Sequence, residues 1–191
     1  MWGSSLAGGT RQRFEDVALP HLDAAYNLAR WLTRNDADAS DVVQEAFVRA
    51  LTYFQGYRGE NPRAWLLMIV RNTCYRWLER NRPAKVTPIS PENEAAVERA
   101  AGLSGELALN PEVLVGRQRD AALLNELIEQ LPPLFREVLI LREVDELSYR
   151  DISEILAVPI GTVMSRLARA RGLLKEAWFR RDAKEQGEAA H

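Results

Sequence analysis

Over residues 83–116 the chain stops supporting a helix. The stretch carries Pro83, Pro88, Pro91 and Pro111, two glycines before its end, and mostly acidic charge. Proline has no amide hydrogen to give a helix interior, and its ring clashes with the preceding turn. The segment 84–116 is therefore expected to be a flexible, partly disordered linker. Folding has to occur on either side of it, as two small domains over 10–83 and 117–183.

Both flanks read as helix. Apolar residues recur at helical spacing, and no alternating strand pattern is evident. In the first flank the pattern predicts a helix over 14–32. A polar break follows at Asn35-Asp36-Ala37-Asp38. Ser40 then serves as N-cap, with Asp41 in the first turn where the helix dipole favours an acid. That helix runs over 41–54. Residues 55–61 hold two glycines and form a loop before Pro62. Pro62 suits the first turn of a further helix, ending near Arg80. The second flank predicts helices over 119–130, 133–144, 149–156 and 160–181. The expected fold class is all-α, with two small helical domains joined by the linker.

Several function classes drop out. Hydrophobic residues make up 47% of the chain, enough for a core. The apolar run 65–70 is far short of the ~20 residues that span a bilayer. Residues 1–11 lack a charged start followed by an apolar stretch, so no secretory signal is read. Cys74 is the single cysteine, which excludes an internal disulfide and favours the cytoplasm. His21 and His191 are the only histidines, and no metal-ligand spacing or Gly-rich phosphate loop occurs. No catalytic residue, metal or cofactor is expected, and the chain does not read as an enzyme.

The formal net charge of -2 argues against a polyanion partner, but its distribution matters more than its sum. Acids dominate over 15–45. Over 58–85 the balance reverses, with Arg58, Arg63, Arg71, Arg76, Arg80, Arg82 and Lys85 against Glu60 and Glu79. A second basic stretch holds Arg166, Arg169, Arg171, Lys175, Arg180 and Arg181 against Glu176.

The sharpest local signal lies at 147–175. Ser148 and Asp151 have capping-box spacing. A short helix follows, then Ala157-Val158-Pro159-Ile160-Gly161, then a longer helix: the helix-turn-helix arrangement. In the long helix Val163, Leu167, Ala170 and Leu174 form a packing stripe. Thr162, Ser165, Arg166 and Arg169 share another face, with small hydroxyls near its start and arginines further along. A helix that enters the major groove needs such a face.

Residues 159–171, Pro-Ile-Gly-Thr-Val-Met-Ser-Arg-Leu-Ala-Arg-Ala-Arg, resemble the recognition helix of extracytoplasmic-function sigma factors. Leu131-Pro132-Pro133 and the stretch 141–149 resemble the same family's fourth region. The resemblance implies binding of the promoter's −35 element through Thr162, Ser165, Arg166, Arg169 and Arg171. Family members often carry a basic residue where this chain has Met164. The stretch 41–50 is similar to the family's second region, which docks on the β′ clamp helices of RNA polymerase. It implies a core-binding face of Asp41, Val42, Gln44, Glu45 and Phe47. Residues 57–72 resemble the loop and helix that hold the −10 element. They imply Tyr57, Arg58, Asn61, Arg71, Asn72, Arg76 and Arg80 as contacts, with Asn72 and the 57–61 loop forming the pocket for a flipped base. Leu66, Ile69, Val70, Thr73 and Trp77 are read as the buried stripe, and Trp65 as core.

The family implies core RNA polymerase (β′ clamp helices and β flap), promoter DNA and an anti-sigma factor as partners, and a monomer when free, without membrane insertion. Two other readings compete. One is a stand-alone helix-turn-helix regulator that dimerises through its first block. The other is a sigma-like decoy that binds an anti-sigma factor and never meets a promoter.

Overall fold

The computed structural model describes residues 4–59, 61–81 and 118–188, with side chains described within 11–59, 61–81 and 121–181. All regular structure among them is helical. The expected linker, 84–116, lies outside the described residues.

The N-terminal lobe holds α1 (Ser4–Ala18), α2 (Leu22–Thr33), α3 (Asp36–Tyr53) and α4 (Pro62–Asn81). The single helix expected over 14–32 is two helices. Pro20 cannot donate into a continuous ladder, and residues Leu19–His21 form a 3-10 turn at the junction. Ser40 is not the N-cap of α3. Asn35 is: its extended backbone positions the side chain to accept from the Asp38 amide at 3.0 Å. Ser40 lies inside the helix and donates back to the Asp36 carbonyl. Helices α2, α3 and α4 pack on one another. Leu28, Val42, Ala46, Leu66, Leu67 and Val70 are completely enclosed between them. Each large aliphatic side chain buried in this way contributes about 1.5–3 kcal/mol.

The C-terminal lobe holds α5 (Gln118–Gln130), α6 (Pro133–Leu139), α7 (Tyr149–Leu156) and α8 (Ile160–Glu188). After Leu139 the chain widens into a π turn over Ile140–Val144, closed by the Asp145 amide on the Ile140 carbonyl. The anticipated stripe of Val163, Leu167, Ala170 and Leu174 is buried against α6 and α7.

The α5–α6 junction shows how one side chain substitutes for missing backbone donors. Pro132 and Pro133 carry no amide hydrogen, so the last carbonyls of α5 lose their usual partners. Arg136, only 3% exposed, supplies them. Its guanidinium donates to the carbonyls of Ile128 (3.2 Å), Glu129 (2.8 Å) and Leu131 (2.7 Å). It also reaches the Trp31 carbonyl of α2 at 3.0 Å. The two lobes are thus in direct contact, with α7 lying along α4 and α6 against α2. Among the described residues no helix is long and apolar enough to cross a membrane.

Candidate functional site

Helix α7 begins with a complete capping box. Ser148 Oγ accepts from the Asp151 amide at 3.1 Å, and Asp151 Oδ2 accepts from the Ser148 amide at 3.3 Å. It ends at Ala157, held at φ 54 in the left-handed region. The carbonyl of Val158 accepts from Ser153 Oγ, and α8 starts at Ile160. The helix-turn-helix is therefore fixed at the cap, the turn and the buried stripe.

On α8 the anticipated DNA-facing residues separate. Ser165 is exposed, Thr162 and Arg169 are half-buried, and Arg166 is only 3% exposed. Arg166 stands three residues after Val163 and four before Ala170, so helical geometry places it beside the packing stripe. Met164 is 53% exposed and occupies the outward position instead. Arg171 is held by Glu143 of the π turn, its Nε donating to Oε1 at 3.1 Å.

On α3, Asp41 and Gln44 are exposed, Glu45 and Phe47 half-buried, and Val42 fully enclosed. Glu45 is pinned by Arg49 Nη2 at 2.6 Å and by Arg80 Nη2 at 3.3 Å. The hydrogen bond from Arg49 holds its carboxyl below the ordinary glutamate range. Phe47 packs edge-on to Phe14 at 6.2 Å. Val48 (66% exposed) and Leu51 (41%) went unnoticed in the sequence. With Asp41 and Gln44 they complete the i, i+3, i+7, i+10 stripe of one helix face, and that spacing was the available signal.

The loop before α4 is built on aromatic stacking. Tyr57 stacks on Phe54 at 5.9 Å and tilts against Trp65 at 4.8 Å. Burial raises the Tyr57 phenol above its ordinary pKa. Gly59 adopts φ +89, a conformation only glycine takes without strain. Asn61 caps α4, its Oδ1 accepting from the Ala64 amide at 3.1 Å. Tyr57, Arg58, Gly59, Asn61, Ala64, Trp65 and Met68 line an open cleft of about 340 Å³, and Glu154 of α7 closes one side. Three anticipated −10 residues meet there: Tyr57, Arg58 and Asn61. The remaining four lie elsewhere on α4. Asn72, Arg76 and Arg80 are exposed, and Arg71 is only 8% exposed.

Arg71 is buried because the other lobe covers it. Its Nε and Nη2 donate to the two carboxylate oxygens of Glu137 at 2.8 and 3.0 Å. Tyr75 Oη donates to the same carboxylate at 2.9 Å. Burial opposes the Arg71 charge, but the Glu137 carboxylate outweighs it and leaves the guanidinium pKa above its usual value. Burial, then Glu137, pushes the Tyr75 phenol well up. Sequence reasoning passed over Glu137. A lone carboxylate within the apolar segment 134–141 was the signal that could have found it.

No cluster of potential metal ligands exists among the described residues. The thiol of Cys74 is buried and pushed up by desolvation, so it is inert.

Two family models match the chain: Sigma-70 region 2 over residues 18–83 and Sigma-70, region 4 over residues 121–174. The RNA polymerase sigma-H factor of Pseudomonas aeruginosa is 32% identical over 176 residues, 88% of each chain. The ECF RNA polymerase sigma-E factor of Escherichia coli (strain K12) is 37% identical over 139 residues, 70% of each. Two solved structures are similar. The sigma factor RpoE in complex with the anti-sigma factor NepR, from Bartonella quintana, gives a TM-score of 0.62 at 26% identity, covering 87% of this chain and 97% of that one. CnrH in complex with the cytosolic domain of CnrY gives 0.59 at 26% identity, covering 91% and 92%. The chain therefore belongs to the extracytoplasmic-function RNA polymerase sigma factors, which initiate transcription and are not enzymes.

Proposed function

We propose that the exposed face of α3, with Asp41, Gln44, Val48 and Leu51, docks on the β′ clamp helices of core RNA polymerase. A mixed apolar and charged helix face suits a protein partner. The N-terminal part of α8 enters the major groove of the −35 element, with Ser165, Thr162 and Arg169 nearest the bases, and the same domain rests on the β flap. The cleft at Tyr57, Arg58 and Asn61 receives an unpaired −10 base. Stacked aromatics offer it a π face, and an amide can both donate and accept. Asn72, Arg76 and Arg80 lie along the strand's path. The site of action is the cytoplasm, where polymerase and chromosome meet, and the free chain is a monomer.

The observation that carries this reading is the capped helix-turn-helix, whose buried stripe turns Ser165 outward at the start of a basic helix. The likeness to sigma factors solved with anti-sigma factors supports an anti-sigma partner for this chain too. Run-off transcription with purified core enzyme tests the reading. Promoter-selective transcripts that require both core and this chain are expected. A dimer that protects a palindrome without polymerase, or a chain that gives no transcript at any promoter, would overturn it.

A further inference from the structure

The outward face of α8 carries no charge where the helix begins. Over 160–170 the exposed positions are Ile160, Gly161, Met164, Ser165 and Ala168. They recur at i, i+1, i+4, i+5 and i+8, the spacing of one helix face. The nearby arginines are set back from it: Arg166 is buried and Arg169 half-buried. Ile160 is 45% exposed and Met164 53%, and both are large and apolar. Gly161, Ser165 and Ala168 are short, so Met164 is the longest side chain this face presents. The core does not call on it, because Val163, Leu167 and Ala170 supply the buried stripe.

An apolar side chain in the major groove has one partner of its own kind. Guanine, adenine and cytosine show donors and acceptors on their major-groove edges, and thymine alone adds an apolar group, its C5 methyl. A cation at position 164 would seek a phosphate or the O6 and N7 of guanine. A thioether does neither, and its flexible, polarisable chain fits closely against a methyl group. Met164 adjoins Ser165 on the face assigned above to the −35 duplex, so the apolar strip is continuous with that interface.

We propose that Met164, backed by Ile160, is a specificity-determining residue of the −35 contact and reads a thymine through its C5 methyl. This rests on the −35 reading above and deepens it. At that base pair the chain selects by apolar burial rather than by a hydrogen bond. Burial of one methyl is worth about fourfold in affinity. The discrimination also stays constant as salt rises, because no counterion is released by an apolar contact.

The test uses holoenzyme assembled from the full chain and purified core. A promoter library randomised over the −35 and −10 segments is enriched by holoenzyme binding, which defines the preferred −35 element. Each thymine of that element is then replaced singly by deoxyuridine, which removes the methyl and keeps the pairing and the O4 acceptor. One replacement is expected to weaken wild-type binding about fourfold and to leave Met164→Ala indifferent. Met164→Leu restores apolar area and should regain most of the discrimination. An enriched element without thymine, no methyl effect at any thymine, or an equal methyl effect in folded Met164→Ala would overturn the inference and leave the −35 reading standing. Weaker binding of Met164→Ala to core without DNA would give the strip to a protein partner and overturn it as well. A library that enriches no −35 sequence would overturn the −35 reading itself.

Discussion

Arg136→Met should cost this protein about 3 kcal/mol of stability. The guanidinium satisfies four carbonyls, at Ile128, Glu129, Leu131 and Trp31. The Ile128 oxygen keeps the Leu131 amide after the substitution. The other three accept from Arg136, and the donor four positions after Glu129 would be Pro133, which has no amide hydrogen. A buried carbonyl stripped of its partner costs about 1–3 kcal/mol, so the gross loss is roughly 3–9 kcal/mol. Against this, burial and the neighbouring Arg34 bring the Arg136 pKa down to about 10. At 1.36 kcal/mol per pH unit, relief of that burden returns about 3 kcal/mol. Methionine refills most of the aliphatic volume, so the cavity contribution is small. The net is about 3 kcal/mol, or a melting point lower by roughly 6–12 °C at about 2–4 °C per kcal/mol for a chain of this size. Thermal melts by circular dichroism, with urea titration for the free energy, measure it. A variant at least as stable as wild type would show that water takes over the carbonyls, and the account of Arg136 as a replacement donor would fail.

Ala157 bears a left-handed backbone at φ 54. Ala157→Gly should stabilise by up to about 1 kcal/mol, because glycine removes the Cβ clash at a smaller entropic cost; a destabilised variant in urea titration would contradict that. His21 titrates below its ordinary pKa, chiefly through burial and then through Arg63. The folded state thus binds fewer protons than the unfolded one, and stability present above the unfolded pKa is lost as pH falls through the folded pKa. The stability advantage of wild type over His21→Gln should shrink between pH 7.5 and 5, and a gap independent of pH would refute it. Glu143→Gln frees Arg171 from an exposed pair. Such a pair contributes about 0–1 kcal/mol to stability, so the melting point should hardly move. Duplex DNA affinity should rise, with a salt slope steeper by about one ion, and an unchanged slope in anisotropy titrations would refute it.

Element type and order were legible because helical periodicity is a local property. The pattern over 149–156 and the stripe from Val163 to Leu174 needed no tertiary information. Boundaries were less legible where several residues could do one job. Asn35, Asp36, Asp38 and Ser40 are all good N-caps, and their preferences differ by less than one tertiary contact. Arg30 resolves the tie by binding the Asp36 carboxylate from α2, which brings the start of α3 forward. The surfaces were half legible. Exposed Asp41, Gln44 and Ser165 follow from helix faces alone. The fate of Arg71 does not. Arg166 could have been placed beside the packing stripe from its spacing to Val163 and Ala170, whereas Arg71 is enclosed by packing the helix wheel does not contain. Arg71 is buried by an element 66 positions away; the lone carboxylate at Glu137 was legible in the sequence, but its partner was not.

A chain that should act only on polymerase gains from occupying its own cations, and these pairs differ in how easily they yield. Arg80 with Glu45 and Arg171 with Glu143 are substantially exposed. In water such pairs are worth little, so a phosphate can displace the carboxylate at almost no cost. Arg71 with Glu137 is different. Phosphate cannot approach Arg71 while the lobes are in contact, because Glu137 is completely enclosed and Arg71 nearly so. The outer pairs therefore lower non-specific attraction while leaving their cations reachable, and the inner pair withholds Arg71 for as long as the lobes stay in contact. The formal net charge of -2 thus understates the basic residues present, because carboxylates of both lobes hold Arg71, Arg80 and Arg171 in pairs of very different accessibility.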